Sequence, residues 1–146
     1  MPYGFRVDKS SNFLNKLVNN NKNFKLIGKV NYTELPNYLN DADICIYPSL
    51  WEAWGYTCTE AMSYGKAVIG SKYGGMADAI EDNINGLLIN PFKVKEIEGA
   101  IVKLIKNEKL RKVLGENAIK TIKTTLNFEN LTKQNIEIYK KVLVNE

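Results

Sequence analysis

The stretch that decides the fold is residues 47–71, YPSLWEAWGYTCTEAMSYGKAVIGS, in a chain of 146 residues. An apolar segment ends at the first residue of this stretch. A loop containing glycine follows, and a short helical pattern then leads into a second apolar segment. Glu52 lies in the loop, and we place Glu60 in the first turn of the helix. A first helical turn has unpaired N–H groups and the positive end of the helix dipole, so this loop and helix start form a candidate anion site.

The segments on either side of this stretch read as buried strands. Residues 43–47, DICIY, form a continuous apolar run suited to a strand covered on both faces, and Pro48 ends it. Residues 67–70 predict a second buried strand, after which Gly74-Gly75 breaks the chain before a short helical stretch to about residue 81. A turn at Asn85-Gly86 precedes a third strand over residues 87–89.

Further out, the pattern predicts mostly helix. Residues 1–9 suggest a strand remnant, residues 10–20 an amphipathic helix, and residues 24–27 a short strand that closes at Gly28. Residues 33–40 predict a brief helix, with Pro36 tolerated in its first turn. From about residue 93 to residue 146 the apolar positions recur at helical spacing throughout.

Short apolar strands that alternate with helices favour one α/β domain over residues 1–146, with a Rossmann-like parallel sheet and helices on both of its faces. In such sheets ligands bind beyond the carboxyl ends of the strands, which is where the Glu52 loop is expected to lie.

Composition narrows the class of protein. Hydrophobic residues make up 45% and charged residues 25%, which is typical of a globular chain. The net charge of +4 is spread without long runs of like charge, so it permits an anionic ligand or membrane surface and gives no sign of a nucleic-acid partner. Histidine is absent, and the spacing of Cys45 and Cys58 is not that of zinc ligands. We interpret the two cysteines as small buried apolar residues in a reducing, cytoplasmic compartment.

The spacing P-S-x-x-E-x-W-G-Y-x-x-x-E-A-M-x-x-G-K-A-V-I resembles the donor-binding segment of the retaining glycosyltransferases of family four. The resemblance is strong over residues 24–90 and rests on these residues in this order: Gly28, Pro48, Ser49, Glu52, Glu60, Ala61, Met62, Gly65, Val68, Ile69, Gly74, Gly75, Asn85, Gly86 and Leu87.

This resemblance implies one half of a GT-B fold, the C-terminal half that binds a nucleotide diphosphate sugar such as a UDP- or GDP-sugar. It implies a hexosyltransferase of polysaccharide biosynthesis whose acceptor is a glycan or a lipid-linked sugar, at the inner face of the membrane or in contact with its surface. The family's N-terminal acceptor domain would be a separate partner, either because the chain is a fragment or because it is a natural subunit. We expect the chain alone to be inactive.

The resemblance also implies roles for site residues. Glu60 would hold the ribose hydroxyls of the donor, and Glu52 would lie beside the transferred sugar as the catalytic candidate. The loop whose backbone N–H groups face the sugar and diphosphate would comprise Trp54, Gly55, Tyr56 and Thr57. The alternatives from the residues alone are a capping box, Thr57-x-x-Glu60, and a solvated loop carboxylate at Glu52.

Two cations complete the predicted site. Arg6 and Lys9 resemble the Arg and Lys that neutralise the leaving diphosphate in the family, and their alternative is a pair of surface charges. With these two in place we predict no metal ion and no cofactor. Where the family commonly has glutamate after the Gly-Gly loop, this chain has the shorter Asp78, and we interpret Lys66 as a surface lysine.

Two other functions stay open at this point. The same fold could serve as a non-catalytic module that binds a nucleotide sugar or assists assembly. It could also be a GT-B sugar-nucleotide epimerase, although the absence of histidine argues against that chemistry.

Overall fold

The computed structural model describes Lys16 and residues 21–144, which fall in two compact units divided between Pro36 and Asn37. The predicted strand over residues 1–9, with Arg6 and Lys9, lies outside the described residues. The predicted helix over residues 10–20 lies outside them too, apart from Lys16.

In the first unit, the strand predicted over residues 24–27 is wrong. The backbone there forms no strand, and the Phe24 N–H closes a turn on the Asn21 carbonyl at 3.0 Å. Phe24 and Leu26 are 61% and 54% exposed, so this apolar run does not lie against a core. An isolated apolar run lacks both the ladder of hydrogen bonds and the buried face that stabilise a strand.

The second unit contains a three-stranded parallel sheet in the order β1-β2-β3. Its strands are β1, Ile44–Tyr47, β2, Ala67–Ser71, and β3, Leu87–Ile89. In the register, Ile69 of β2 lies opposite Ile46 of β1 and Leu87 of β3. These strands confirm the predicted positions to within one residue. β1 is less deeply covered than β2, because its four residues are half-buried at the edge of the described sheet.

Six helices surround or follow the sheet in the described residues: α1, Leu35–Asp41, α2, Tyr56–Ser63, α3, Met76–Ala79, α4, Val94–Ile105, α5, Glu108–Thr124, and α6, Phe128–Val144. The last three confirm the all-helical C-terminal segment, and Pro36 occupies the first turn of α1 as expected. None of the helices within residues 21–144 is both long and apolar enough to cross a bilayer.

One face of the sheet packs against α4 and α5. Ala67 and Ile69 point to this face, where Leu104 of α4 and Leu114 of α5 are fully buried against them. Since successive side chains of a strand point to opposite faces, β2 supplies this core with every second residue.

The other face of β2 packs against α3 and the segment after it. A Cβ built on Gly70 would lie 2.5 Å from the Cδ1 of Ile80 and 3.6 Å from the Cβ of Met76. Val68, on the same face, lies close to Gly86 at the start of β3. The sheet is therefore covered on both faces, as the sequence predicted.

Helix α5 lies in backbone contact with the turn after α2. A Cβ built on Gly115 would overlap the carbonyl oxygen of Gly65 and would lie 2.9 Å from its carbonyl carbon. Gly65 itself has a φ of 69°, which favours glycine, and its own Cβ would lie 2.8 Å from Ile119. Two glycines 50 positions apart thus set how closely α5 approaches the sheet.

Two carboxylates close the outer edge of β3. Asp82 accepts the Leu88 N–H at 2.8 Å, and Glu96 accepts the Asn90 N–H at 2.9 Å. These are the N–H groups that point away from β2, since a parallel strand directs alternate N–H groups to opposite neighbours. A further strand could add to this edge only by displacing the two carboxylates.

Glu96 makes the stability of this edge depend on pH. The hydrogen bond from the Asn90 backbone, followed by the interaction with Lys93, lowers the pKa of Glu96 from the ordinary value of a glutamate. A lowered pKa contributes stability above the unfolded-state pKa, and that contribution is lost as pH falls through the folded-state pKa. We expect Glu96→Gln to lower the melting temperature near neutral pH and to converge with the wild type in acid.

Thermal melts between neutral pH and about pH 3, a range that spans the ordinary glutamate pKa of about 4.3, measure this difference. Glu98→Gln, on the exposed side of the same helix, is the matched control and should leave the profile unchanged. A Glu96→Gln variant whose melting temperature parallels the wild type at every pH would contradict this interpretation.

Candidate functional site

The site is built around the start of α2. Gly55 precedes this helix with φ 85° and ψ 48°, a left-handed conformation that only glycine adopts without strain. The first backbone bonds are donated by Cys58 and Thr59 to the Gly55 carbonyl, at 2.9 and 3.2 Å. Among the described residues, no side chain caps this helix start. The N–H groups of Tyr56 and Thr57 are therefore placed to bind an anion.

This geometry corrects the predicted position of Glu60. It is the fifth residue of α2 rather than a residue of its first turn. The capping box proposed for Thr57 and Glu60 is wrong as well, because Gly55 occupies the N-cap and Thr57 lies inside the helix. The Glu60 carboxylate is thus available for a role other than capping.

The loop after β1 is held by the loop after β2. The Gly75 N–H donates to the Glu52 carbonyl at 3.0 Å, and Gly74 has a φ of 75°. A Cβ on Gly74 would overlap the Glu52 carbonyl oxygen, and one on Gly75 would lie 2.5 Å from the Cα of Trp54. The two loops therefore meet backbone to backbone at the carboxyl ends of β1 and β2. This contact fixes Glu52, which is half-buried, at the same end of the sheet as the start of α2.

A cavity of about 530 Å³ lies beside α2. One wall is polar and belongs to α2 and the loop before it, and the opposite wall is apolar and belongs to the end of α5 and to α6. The lining residues are Trp54, Tyr56, Thr59, Glu60, Ser63, Ile122, Leu126 and Leu131.

Of the predicted site residues, Trp54, Tyr56 and Glu60 line this cavity together. Gly55 and Thr57 are not among its lining residues and lie at the helix start, and Glu52 lies in the loop before it. Arg6 and Lys9 lie outside the described residues, so the diphosphate pair stays a prediction.

Three residues beneath the site have raised pKa values: Cys45, Tyr47 and Cys58. Burial, above all, raises the pKa of the Cys58 thiol to about 12, and burial also raises the pKa of Cys45. The pKa of Tyr47 is raised by burial first, then by Cys45 and Cys58, and further by the charge of Glu60. These groups stay neutral near neutral pH, which argues against a thiolate nucleophile. Cys58 is fully buried, which confirms its predicted apolar role.

The remaining candidates lie away from the helix start. Lys66 donates to the Asn40 carbonyl at 2.9 Å at the amino end of β2, opposite the Glu52 loop. Asp78 lies in α3, where it is exposed. Within residues 21–144, no group of three or more acidic or thiol side chains could hold a metal ion. A metal-free reaction stays a prediction.

The apolar wall of the cavity was missed by sequence reasoning. Leu126 follows α5, and the helical spacing that includes Leu131 indicates a buried face without saying what it faces. The predicted all-helical segment included no break at residues 125–127, where Leu126 lines the cavity between α5 and α6.

Comparison with known proteins places this geometry in context. The family model described as "Glycosyl transferases group 1" matches residues 8–121. An uncharacterized glycosyltransferase of Methanocaldococcus jannaschii is 34% identical over 109 residues, which cover 75% of this chain and 30% of that protein. The chain spans 29–36% of the length of three such relatives from this organism.

Two solved structures show the same architecture. The C-terminal domain of a glycosyl transferase group 1 family protein from Francisella tularensis is 27% identical, with a TM-score of 0.77, and the match covers 86% of this chain and 66% of that one. The HepE protein of Anabaena in complex with UDP-glucose has a TM-score of 0.81 at 21% identity, covering 94% of this chain and 38% of that one. At 21% identity, the second match is evidence for a shared fold and for nothing beyond the fold.

Proposed function

Because this chain belongs to the group 1 glycosyl transferases, we propose that it binds the nucleotide diphosphate sugar donor of a retaining sugar transfer. The observation that carries this proposal is the pairing of an uncapped helix start with two half-buried glutamates at one end of the sheet. N–H donors suit a diphosphate, and carboxylates suit sugar hydroxyls.

Glu60 accepts hydrogen bonds from the ribose hydroxyls in this proposal. Its carboxylate is half-buried and lines a cavity large enough for a nucleoside, beside Trp54 and Tyr56. The diphosphate lies at the N–H groups of Tyr56 and Thr57, which follow the left-handed Gly55 at the helix start. The UDP-glucose bound to the Anabaena protein supports UDP as the first nucleotide to test.

Glu52 lies beside the sugar that is transferred. As the bond from the anomeric carbon to the phosphate oxygen breaks, its electron pair goes to the phosphate and positive charge develops on the sugar. A nearby carboxylate stabilises that charge. The acceptor oxygen forms the new bond on the same face of the sugar, and its proton passes to the departing phosphate, so the configuration is retained.

The leaving diphosphate needs compensating positive charge. The start of α2 supplies part of it, and we propose Arg6 and Lys9 for the rest. We also propose that a separate domain binds the acceptor, a glycan or a lipid-linked sugar, so that this half binds the donor without transferring it.

Titration calorimetry with UDP, GDP and ADP tests the donor role. We expect Glu60→Gln to weaken the best-bound nucleotide about 10- to 100-fold, since a hydrogen bond to a charged group contributes roughly 1.5–3 kcal/mol. Glu116→Gln, at an exposed glutamate on α5, is the matched control and should bind as the wild type does.

Two results would overturn the proposal. One is a wild-type chain that binds none of the three nucleotides at millimolar concentration. The other is equal nucleotide affinity in the wild type and in Glu60→Gln, which would show that the Glu60 carboxylate does not bind the ribose.

A further inference from the structure

Three exposed aromatic side chains follow the three strands of the sheet at their carboxyl ends. Trp51 comes four residues after β1, Tyr73 two residues after β2, and Phe92 three residues after β3. They are 78%, 39% and 67% exposed, so none belongs to the core. The carboxyl ends of parallel strands meet at one edge of a sheet, so the three residues belong to the loops along the edge where the donor loops lie, and we call this set the row.

Tyr73 and Phe92 form a defined pair. Their ring centroids are 6.0 Å apart with an angle of 61° between the planes, an edge-to-face arrangement. The ammonium of Lys72 lies 5.6 Å from the centre of the Tyr73 ring. A cation over the Tyr73 ring and the exposed ring of Phe92 thus lie next to each other at the surface.

Buried polar side chains hold the backbone of this pair. The Tyr73 N–H donates to the Ser71 hydroxyl at 3.1 Å, and the Phe92 N–H donates to the Asn90 side chain at 3.0 Å. Ser71 is fully buried and Asn90 is 9% exposed, and the Lys72 N–H bonds to the Ile89 carbonyl. The exposed rings therefore project from positions that the sheet itself fixes, and little ordering is needed when a ligand binds.

The row is continuous with the site. Tyr73 precedes Gly74, whose backbone meets that of Glu52, and Trp51 directly precedes Glu52. Neighbouring strands lie about 4.8 Å apart, so a row across three strands spans roughly 10 Å, enough for a short oligosaccharide. A ligand lying on these rings would have one end at Glu52.

We propose that Trp51, Tyr73 and Phe92 form a stacking surface for the sugar rings of a saccharide acceptor. The carbon-bound hydrogens of a pyranose face pack on aromatic rings, while its hydroxyls reach Lys72 and water. This inference rests on the proposed function, which places the transferred sugar at Glu52. It adds a surface that selects the acceptor on the donor half itself.

Saturation-transfer NMR on the full chain tests this surface directly. Aromatic protein protons are irradiated in the presence of maltohexaose, cellohexaose or a polygalacturonate hexasaccharide, and transfer to the sugar protons is measured. We expect transfer to at least one saccharide and binding about tenfold weaker in the double variant Tyr73→Ala/Phe92→Ala, the loss expected for a stacked aromatic contact.

Phe128→Ala/Tyr139→Ala is the matched control, because it removes one exposed Phe and one exposed Tyr from α6. It should leave saccharide binding unchanged. No transfer to any of the three saccharides, or a loss that is equal in the two double variants, would overturn the proposal. A protein partner on the same rings would also overturn it, and would appear as copurifying protein that masks the rings without saccharide transfer.

Calorimetry with UDP, GDP and ADP on the same samples separates this inference from the proposed function. Tyr73→Ala/Phe92→Ala should bind the nucleotide as the wild type does. Saccharide binding by a wild-type chain that binds no nucleotide would overturn the donor role and leave the saccharide surface standing.

Discussion

Gly74→Ala is expected to destabilise the protein by roughly 2–5 kcal/mol and to abolish nucleotide binding. The backbone at this position has a φ of 75°, which costs a residue with a Cβ about 1–2 kcal/mol. The added carbon would also overlap the carbonyl oxygen of Glu52 and lie 3.1 Å from its carbonyl carbon. The neighbour is backbone rather than a flexible side chain, so it can yield only if the loop after β1 moves.

That movement would act on function as well as on stability. The loop leads through Trp54 to Gly55 and the start of α2, so displacing Glu52 shifts the N–H groups proposed to hold the diphosphate. Urea unfolding measures the loss of stability, and calorimetry with UDP, GDP and ADP measures the loss of binding.

Gly28→Ala isolates the strain from the overlap. Gly28 has almost the same φ, 76°, but a Cβ there would meet nothing within 4 Å. It should cost only the backbone term of about 1–2 kcal/mol and should leave nucleotide binding intact. Equal losses in Gly74→Ala and Gly28→Ala would mean that the contact between the two loops does not constrain them.

Gly115→Ala is expected to have the second large effect on stability. It should destabilise the protein, although a change from glycine to alanine inside a helix usually stabilises. Alanine in a helix interior normally stabilises by about 0.5–1 kcal/mol relative to glycine. At Gly115 the new carbon would overlap the backbone of Gly65, so we expect a net loss of about 1–3 kcal/mol from overpacking. Thermal and urea unfolding measure it.

Gly99→Ala is the matched control in the neighbouring helix. Gly99 lies in the interior of α4, and a Cβ there would meet nothing within 4 Å. We expect this variant to gain about 0.5–1 kcal/mol by the same helix propensity. If both variants were stabilised, the approach of α5 to the turn after α2 would be looser than the geometry indicates.

Much of the fold follows from local chemistry. The strands over residues 44–47, 67–71 and 87–89 were predictable because each is a short, mainly apolar run with glycine, proline or asparagine within four residues of either end. The run over residues 24–27 has the same local appearance and forms no strand. Strand formation depends on a partner and a covered face, which a local pattern does not reveal.

Sequence reasoning selected the residues of the candidate site, and their roles stay predictions. The structure brings three of them, Trp54, Tyr56 and Glu60, to one cavity. The sequence suggested a capping box, because Thr57 and Glu60 have the right spacing for one. The helix begins at Tyr56 as predicted, but the left-handed Gly55 occupies the N-cap, and the loop before it meets the backbone of Gly74 and Gly75. Contacts between distant backbones leave no periodic signal in a sequence.

The two carboxylates on the outer edge of β3 oppose the pairing of another strand with that edge. Asp82 and Glu96 occupy the N–H groups there and place negative charge in the path of an approaching backbone. A second molecule pairing along β3 would lose both hydrogen bonds before forming its own. Self-association by strand pairing along β3 is therefore disfavoured.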